Sequence, residues 1–213
     1  MSYRFDCSEP SARRRGITRA VTSVSEGSLV VLPVDTLYGV GCDAFSAAAV
    51  AALRELKGHG RDQPPPVLIA HARTLDGVAT DLSEDVRSLI AAFWPGPLTL
   101  VCRAQPTLDW DLGDTGGTVA VRMPLHPVAI ELLEKTGPMA ITGAGSPGRA
   151  APVTCESVRD VFGDAVEVYL DGGQLTREGV STIVDVVGES PRVVRVGAVS
   201  FAQLREVVPD LVQ

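Results

Sequence analysis

The sequence predicts an α/β domain with a mixed parallel and antiparallel sheet. Three observations carry that reading. Short apolar runs of strand length alternate with stretches whose apolar residues recur at helical spacing. Near the C-terminus two candidate strands follow each other with no helix between them, which calls for an antiparallel pair in an otherwise crossover-built sheet. At 213 residues, 45% hydrophobic and 21% charged, the chain suits one compact domain, 1–213, with a full-sized core.

The elements follow in order. Between Ser11 and Gly27, the residues Ile17, Ala20, Val21 and Val24 share a helical face, and Gly27 is placed to end the helix. The apolar run Leu29–Leu32 is a buried strand ending at Pro33. Ser46 can cap a second helix, buried through Val50, Leu53 and Leu56 and ending at Lys57-Gly58. A polar turn rich in Pro and Gly leads to the apolar run Val67–Ala70. Further strands are expected at Leu98–Cys102, Val119–Arg122, Met139–Thr142, Val166–Leu170, Ser181–Val186 and Val193–Val196. Helices are expected at Glu84–Phe93, Pro127–Lys135 and Val158–Phe162. A last one opens at Ser200, where Gln203 completes a capping-box spacing. With no repeat or low-complexity tract, the loops at strand ends are left to carry the chemistry.

Composition narrows the function. A net charge of −7 argues against broad nonspecific nucleic-acid binding, which needs many phosphate contacts. Arg13-Arg14-Arg15 reads as a solvated helix start. The N-terminus lacks the apolar core of a signal peptide and no 18-residue apolar run is present, so a soluble cytoplasmic protein without a membrane partner is expected. Cys7, Cys42, Cys102 and Cys155 are scattered, with no C-x-x-C pair, so free thiols and no metal site are expected. With only His59, His71 and His126, no G-x-S-x-G elbow and no Walker A sequence, neither a serine triad nor a P-loop fits.

Chemistry-bearing residues concentrate in a few stretches. In Leu32–Gly41 a buried strand is followed by the Asp35 carboxylate, the Thr36 hydroxyl and the Tyr38 phenol, then Gly39 and Gly41. Lys57–Pro64 places Lys57, His59 and Arg61 in a turn whose glycines admit a ligand to the backbone, a mixture suited to phosphate. The plainer alternative has Lys57 complementing a helix C-terminus that Gly58 caps. Gly117–Pro124 ends an apolar strand on Arg122, either a surface residue or a carboxylate clamp. In Met139–Gly148, Gly143, Gly145 and Gly148 satisfy G-x-G-x-x-G, but Pro147 and Pro152 interrupt the helix a dinucleotide site needs, so the match is accidental. Ser181–Asp185 followed by Arg195-Val196-Gly197 reads alone as an amphipathic strand pair, and Trp94–Thr99 as core and turn. Residue types alone reach an anion-binding α/β domain.

Taken together these stretches resemble, in order, the motifs of the YrdC/YciO-like threonylcarbamoyl-AMP synthase family. Leu32–Gly41 is similar to P-T-D-T-x-Y-G and Lys57–Pro64 to K-G-R-x-x-D-x-P. Trp94–Thr99 is similar to F-W-P-G-P-L-T, and Val119–Pro124 to V-A-V-R-x-P. Thr142–Gly148 resembles T-S-A-N-x-S-G, and Ser181–Gly197 the S-T-x-x-D and R-x-G pair. The likeness covers about residues 27–197. It implies a twisted mixed sheet, the YrdC-like fold, enclosing a concave basic cavity. The activity implied is ATP-dependent joining of L-threonine and bicarbonate with release of pyrophosphate. ATP serves as a substrate with magnesium, and threonylcarbamoyl passes to tRNA adenosine through tRNA-modification partner proteins. Carried over, Lys57, His59 and Arg61 are catalytic. The nucleotide meets His59, Gln63, Thr118, Gly143, Gly145, Ala151 and Arg195, and the amino acid meets Thr36, Tyr38, Leu68, Arg122, Ile141 and Ser181. Five positions depart from the motifs: Val34 replaces a threonine, His59 an arginine, Gly143 a serine, Gly145 an asparagine and Pro147 a serine. Two alternatives therefore stay open, a paralogue forming or transferring a carbamoyl group on another amine and a non-catalytic nucleotide- or RNA-binding member.

Overall fold

The computed structural model describes residues 1–35, 37–146, 152–175 and 179–213. Among them eleven strands form one sheet: β1 (Tyr3–Asp6), β2 (Val30–Val34), β3 (Leu37–Asp43), β4 (Val67–Leu68), β5 (Ala79–Thr80), β6 (Leu98–Ala104), β7 (Thr118–Arg122), β8 (Met139–Gly143), β9 (Val168–Asp171), β10 (Thr182–Asp185) and β11 (Arg192–Arg195). Their order is β1-β9-β2-β3-β8-β4-β7-β6-β10-β11, with β5 on β6. Parallel pairs (β1 with β9, β9 with β2, β4 with β7, β6 with β10) occur with antiparallel ones (β2 with β3, β3 with β8, β8 with β4, β7 with β6, β10 with β11, β5 with β6), the mixed sheet expected from the sequence. The helices are α1 (Pro10–Ser25), α2 (Ala47–Lys57), α3 (Leu75–Val78), α4 (Glu84–Phe93), α5 (Pro127–Thr136), α6 (Cys155–Phe162) and α7 (Phe201–Val207).

Local chemistry sets the helix ends. The Ser46 hydroxyl accepts from Ala49 N to start α2, and Gly58 in the left-handed region (φ 63°) stops it. Ser200 and Gln203 form the expected reciprocal cap on α7. At α5 the cap is His126, whose ring nitrogen accepts from Val128 N.

Two apolar layers flank the sheet. On one face Val31, Val40, Leu100, Val119 and Val121 pack with α2, α4, α6 and α7 through Leu53, Leu89, Val158 and Leu204. On the other, Val30, Leu32, Val168 and Leu170 pack beneath α1 and α5 through Ile17, Ala20, Leu132 and Leu133. Strand alternation assigns the two layers, so β2 is apolar throughout because both its faces are covered. On β7, β6 and β10 the second face carries Ala120, Thr99 and Ile183, which line a cavity instead of a helix.

Three expectations need correction. The strand does not end at Pro33; it runs to Val34 and turns back as β3, which the sequence had concealed behind two glycines. Pro33 is tolerated because its partner Tyr38 directs its own amide to Pro152 O (3.4 Å) and its carbonyl to Ala144 N (2.8 Å), so that rung uses no proline N–H. The glycines make room for Ile141 of β8. A Cβ on Gly39 would lie 2.7 Å from Ile141 Cγ2, and one on Gly41 would lie 2.4 Å from Ile141 Cγ1 and 2.7 Å from Ala140 O. The expected strand Val67–Ala70 pairs only at Val67 and Leu68, and the four residues of β1 were too short a signal to read. All four cysteines are free and buried, and no helix among the described residues is long and apolar enough to cross a membrane.

Gly41→Ala should destabilise the protein by about 1–3 kcal/mol, because the new methyl meets both a packed side chain and a backbone carbonyl. Gly77→Ala in α3, where an added Cβ meets nothing within 4 Å, is the control and should be neutral or slightly stabilising. Urea denaturation of the two variants checks the contrast.

Candidate functional site

The uncovered part of the sheet forms a cavity of about 360 Å³. Its floor is organised by β7, whose residues Thr118, Ala120 and Arg122 share a face while Val119 and Val121 enter the core. Register fixes what stands at each level. Arg122 is opposite Leu68 on β4, which is opposite Met139 on β8. On the other side Val121 pairs with Leu100, which brings Thr99 level with Arg122, and Ile183 pairs with Thr99. From Arg122 to Thr118 is four residues, roughly 13 Å at strand rise, so the site has a long axis.

Arg122 occupies one end. Its side chain is 8% exposed and its Nη2 donates to Asp35 Oδ2 at 2.8 Å, while its Nε donates to Gly96 O at 2.9 Å. Asp35, 2% exposed, also accepts from Leu125 N at 2.9 Å. It sits in the β2–β3 turn at φ 51°, a left-handed conformation that Asp adopts more readily than most side chains. Burial lowers the Arg122 pKa, Asp35 opposes that, and Arg195 adds to it. Two guanidiniums thus approach each other at this end, a standing preference for an anion.

Beside them, Ser181 Oγ accepts from Thr99 Oγ1 (2.9 Å) and from Arg195 Nη2 (3.2 Å), which leaves the serine proton to be donated. Arg195 also donates to the Ser181 carbonyl through Nε (3.1 Å) and Nη2 (2.8 Å). Gly197 completes the turn by lying flat on that backbone; a Cβ there would sit 2.2 Å from Val180 O. The W-P-G-P stretch, read in the sequence as core and turn, also supplies the Gly96 carbonyl that aims Arg122.

Lys57 serves the other end. Its buried ammonium donates to Gly143 O at 2.8 Å and to Gly145 O, and lies 5.7 Å from the centre of the Phe162 ring. Among the described residues no carboxylate pairs with it, and burial lowers its pKa. Tyr38 anchors the same loop from below. Its backbone holds Ala144 on one side and Pro152 on the other, while its phenol oxygen accepts from Gly172 N (3.0 Å) and lies 2.7 Å from Gly173 O and 3.1 Å from Asp171 Oδ1. Burial, with the Asp171 charge nearby, pushes the Tyr38 pKa up, so the phenol stays neutral.

The cavity wall therefore gathers Leu68, Arg122, Ile141, Gly143, Ser181 and Arg195 of the residues expected from the sequence. Lys57 and Tyr38 act on it through the loop after β8. Thr118 stands on the β7 cavity face at the far end, with its hydroxyl donating to Thr115 O. His59 is half-buried near Lys57; burial first, then the Lys57 charge, lowers its pKa, which Asp62 partly offsets. Gln63 is exposed. Arg61 is not brought to the cavity. Its guanidinium is exposed and spent on Asp111 (2.9 Å through both Nη1 and Nη2) and Asp114 (2.9 Å through Nε), which braces its turn against the loop before β7. Thr36 and Ala151 lie outside the described residues. Asp35, Thr99 and Val34 also belong to the site and were not singled out as site residues. The signal for Asp35 was present, a carboxylate directly after a buried strand, but its partner 87 positions away was not legible.

Known proteins resemble the chain in sequence and in fold. The Sua5/YciO/YrdC family model, described as "Telomere recombination", matches residues 22–197. The chain is 50% identical over 208 residues to a Mycobacterium tuberculosis protein named "Putative threonylcarbamoyl-AMP synthase", covering 98% of this chain and 96% of that one. The structure of Pyrococcus abyssi Sua5 complexed with L-threonine superposes with a TM-score of 0.90 at 30% identity, covering 100% of this chain and 62% of that chain. The present chain thus spans less than two thirds of the P. abyssi protein. Escherichia coli YciO superposes with a TM-score of 0.86 at 24% identity, covering 96% of this chain and 100% of that one, which speaks to the fold alone.

The Asp35–Arg122 pair should show strong coupling. Asp35→Ala or Arg122→Ala leaves an uncompensated buried charge and should each cost about 3–5 kcal/mol. The double variant should cost clearly less than the two together, as a denaturant-unfolding cycle will show.

Proposed function

The chain belongs to the Sua5/YciO/YrdC family, and from that premise we propose that it makes threonylcarbamoyl-AMP from L-threonine, bicarbonate and ATP. The single observation that carries this reading is the two-ended cavity. A guanidinium and a free serine proton stand at one end, and a loop clamped by a buried ammonium that has no carboxylate partner among the described residues stands at the other. The first end suits a carboxylate and the second a polyphosphate.

The threonine carboxylate docks on Arg122 and takes the Ser181 proton as a hydrogen bond. Its amine adds to the carbon of bicarbonate with loss of water, giving an N-carboxylate. One oxygen of that carbamate attacks the α-phosphorus of ATP, and the bond to pyrophosphate breaks. A carbamate is a weak nucleophile toward a polyanion, so the protein's contribution is alignment along β7 and cationic relief of phosphate charge. Lys57 supplies that charge from the nucleotide end, with His59 beside it, and Arg195 adds to it from the side of Ser181 and Arg122. Thr118 and the Gly143–Gly145 loop border the nucleotide, and Leu68 and Ile141 exclude water from the middle. Arg61 contributes by bracing the turn. The product passes to tRNA-modification partner proteins in the cytoplasm.

The described residues do not build a magnesium site: Asp35 is engaged by Arg122 and Leu125 N, and no cluster of three His, Cys, Asp or Glu occurs among them. Magnesium therefore enters as part of the MgATP substrate.

Pyrophosphate release should require all three substrates together. Ser181→Ala should raise the KM for threonine about tenfold while kcat changes less, since it removes one donor to a carboxylate. Release that continues without threonine or without bicarbonate would dispose of the proposed reaction.

His59 gives the site a pH dependence. In the free protein its pKa is lowered below 6.5, so it is neutral at pH 8. Bound phosphate favours the protonated ring, so ATP affinity should rise as pH falls from about 8 to 6. Calorimetric titrations of wild type and His59→Asn isolate the effect: the variant should lose the part of the slope due to the imidazole.

A further inference from the structure

Two threonines flank Ser181 and fix different parts of it. Thr182, the next residue and fully buried, holds the backbone. Its amide donates to Pro97 O (2.9 Å), while its hydroxyl accepts from Gly197 N (2.9 Å) and Val199 N (3.0 Å) and donates to Val199 O (2.6 Å). That hydroxyl has used its one proton and both lone pairs. Arg195 also donates to the Ser181 carbonyl, so the chain is pinned at Ser181 and just after it. What remains to be set is the direction of the Ser181 hydroxyl.

Thr99 is placed to set it. Its neighbours Leu98 and Leu100 enter the core, so strand alternation turns Thr99 to the cavity floor, where it is 4% exposed. Its Oγ1 stands 2.9 Å from Ser181 Oγ, and Arg195 Nη2 stands 3.2 Å from the same oxygen. A guanidinium only donates, so Arg195 fills one lone pair of the serine. An ionised carboxylate only accepts, so a ligand carboxylate that meets Ser181 takes the serine proton as a hydrogen bond. The remaining lone pair of the serine then receives the Thr99 proton. The donors run in one direction, from Thr99 to Ser181 to the carboxylate, and a hydroxyl whose oxygen receives two donors is itself a stronger donor.

We propose that Thr99 is a positioning residue for the amino-acid carboxylate: by giving its proton to Ser181 it aims the Ser181 proton into the cavity. This rests on reading the Arg122 end as the seat of a substrate carboxylate. A donor aligned beforehand needs no reorganisation when the ligand arrives. Thr99 acts through Ser181, so its contribution exists only while that serine is present and is confined to the amino-acid end of the cavity. Substitutions of the two residues therefore do not add.

The test measures pyrophosphate release, with the KM for L-threonine and for ATP taken separately, together with calorimetric binding of L-threonine without nucleotide. Thr99→Val, which removes the hydroxyl with little change of shape, should raise the KM and the Kd for L-threonine about fivefold. The KM for ATP should change by about twofold at most. Thr99→Ser keeps the hydroxyl and should return the L-threonine KM to within about twofold of wild type. In a Ser181→Ala background, Thr99→Val should shift the L-threonine KM by about twofold at most. Should Thr99→Val not fold, Thr99→Cys, whose thiol is a weak donor, takes its place with the same expectations. An unchanged L-threonine KM in the variant, an equal rise in both backgrounds, or no recovery in Thr99→Ser overturns the proposal. A wild-type protein that neither binds L-threonine nor needs it for pyrophosphate release overturns the reading of the Arg122 end, and the role of Thr99 falls with it.

Discussion

The site depends on one buried ion pair. A guanidinium inside a sheet cavity would be prohibitively desolvated alone, and Asp35 makes it tolerable at the cost of holding a non-glycine residue in a left-handed turn. Once the pair is formed it organises its surroundings. Asp35 fixes the amide of Leu125 just before α5, and Arg122 fixes the carbonyl of Gly96 just after α4. The β2–β3 turn, the entry to α5 and the W-P-G-P turn are thereby tied to a single pair of charges. The remaining donors of Arg122 face the cavity in a preset orientation, so a ligand carboxylate meets a guanidinium whose reorganisation is already complete.

Electrostatics at two scales explain how an acidic protein offers an anion site. The net charge of −7 belongs to the whole chain, and many surface cations are cancelled locally, as Arg61 is by Asp111 and Asp114 and Arg87 by Asp76. Lys57 and Arg195 are different. They donate to backbone carbonyls, so their hydrogen bonds are satisfied while their charge is not. Neutral acceptors hold the cations in place and leave the field in the cavity positive, where low dielectric strengthens it.

Much of the fold was legible because local signals agreed with the tertiary outcome. α4 begins and ends where its cap and apolar stripe put it, and the capping box of α7 forms from Ser200 and Gln203. β3 was not legible, because Leu37–Asp43 carries glycines whose purpose lies in another strand: they clear space for Ile141, about 100 residues on. In the site, residue types pointed to anion chemistry and family likeness supplied the roles, yet neither could separate Arg122 from Arg61. Both are arginines beside glycine-rich turns. What distinguishes them is the partner: one carboxylate leaves Arg122 with donors to spare beside the cavity, and two carboxylates neutralise Arg61 at the exposed surface.

The departures from the family motifs acquire a physical reading on the same terms. Where a serine and an asparagine would have offered side chains, Gly143 and Gly145 offer carbonyls, and the Lys57 ammonium takes both. The loop that follows β8 is then held by its backbone, between Lys57 above and the Tyr38 amide and carbonyl below. Gly143, Ala144 and Gly145 are fixed through backbone groups, which are present at every residue whatever its side chain. The two glycines lack polar side chains and keep the backbone contacts to Lys57. Val34 follows the same pattern, keeping the volume of the threonine it replaces and surrendering only its hydroxyl. A site altered in this way changes what it recognises more readily than whether it folds, which is the condition under which a shift of substrate can arise without loss of the catalytic frame.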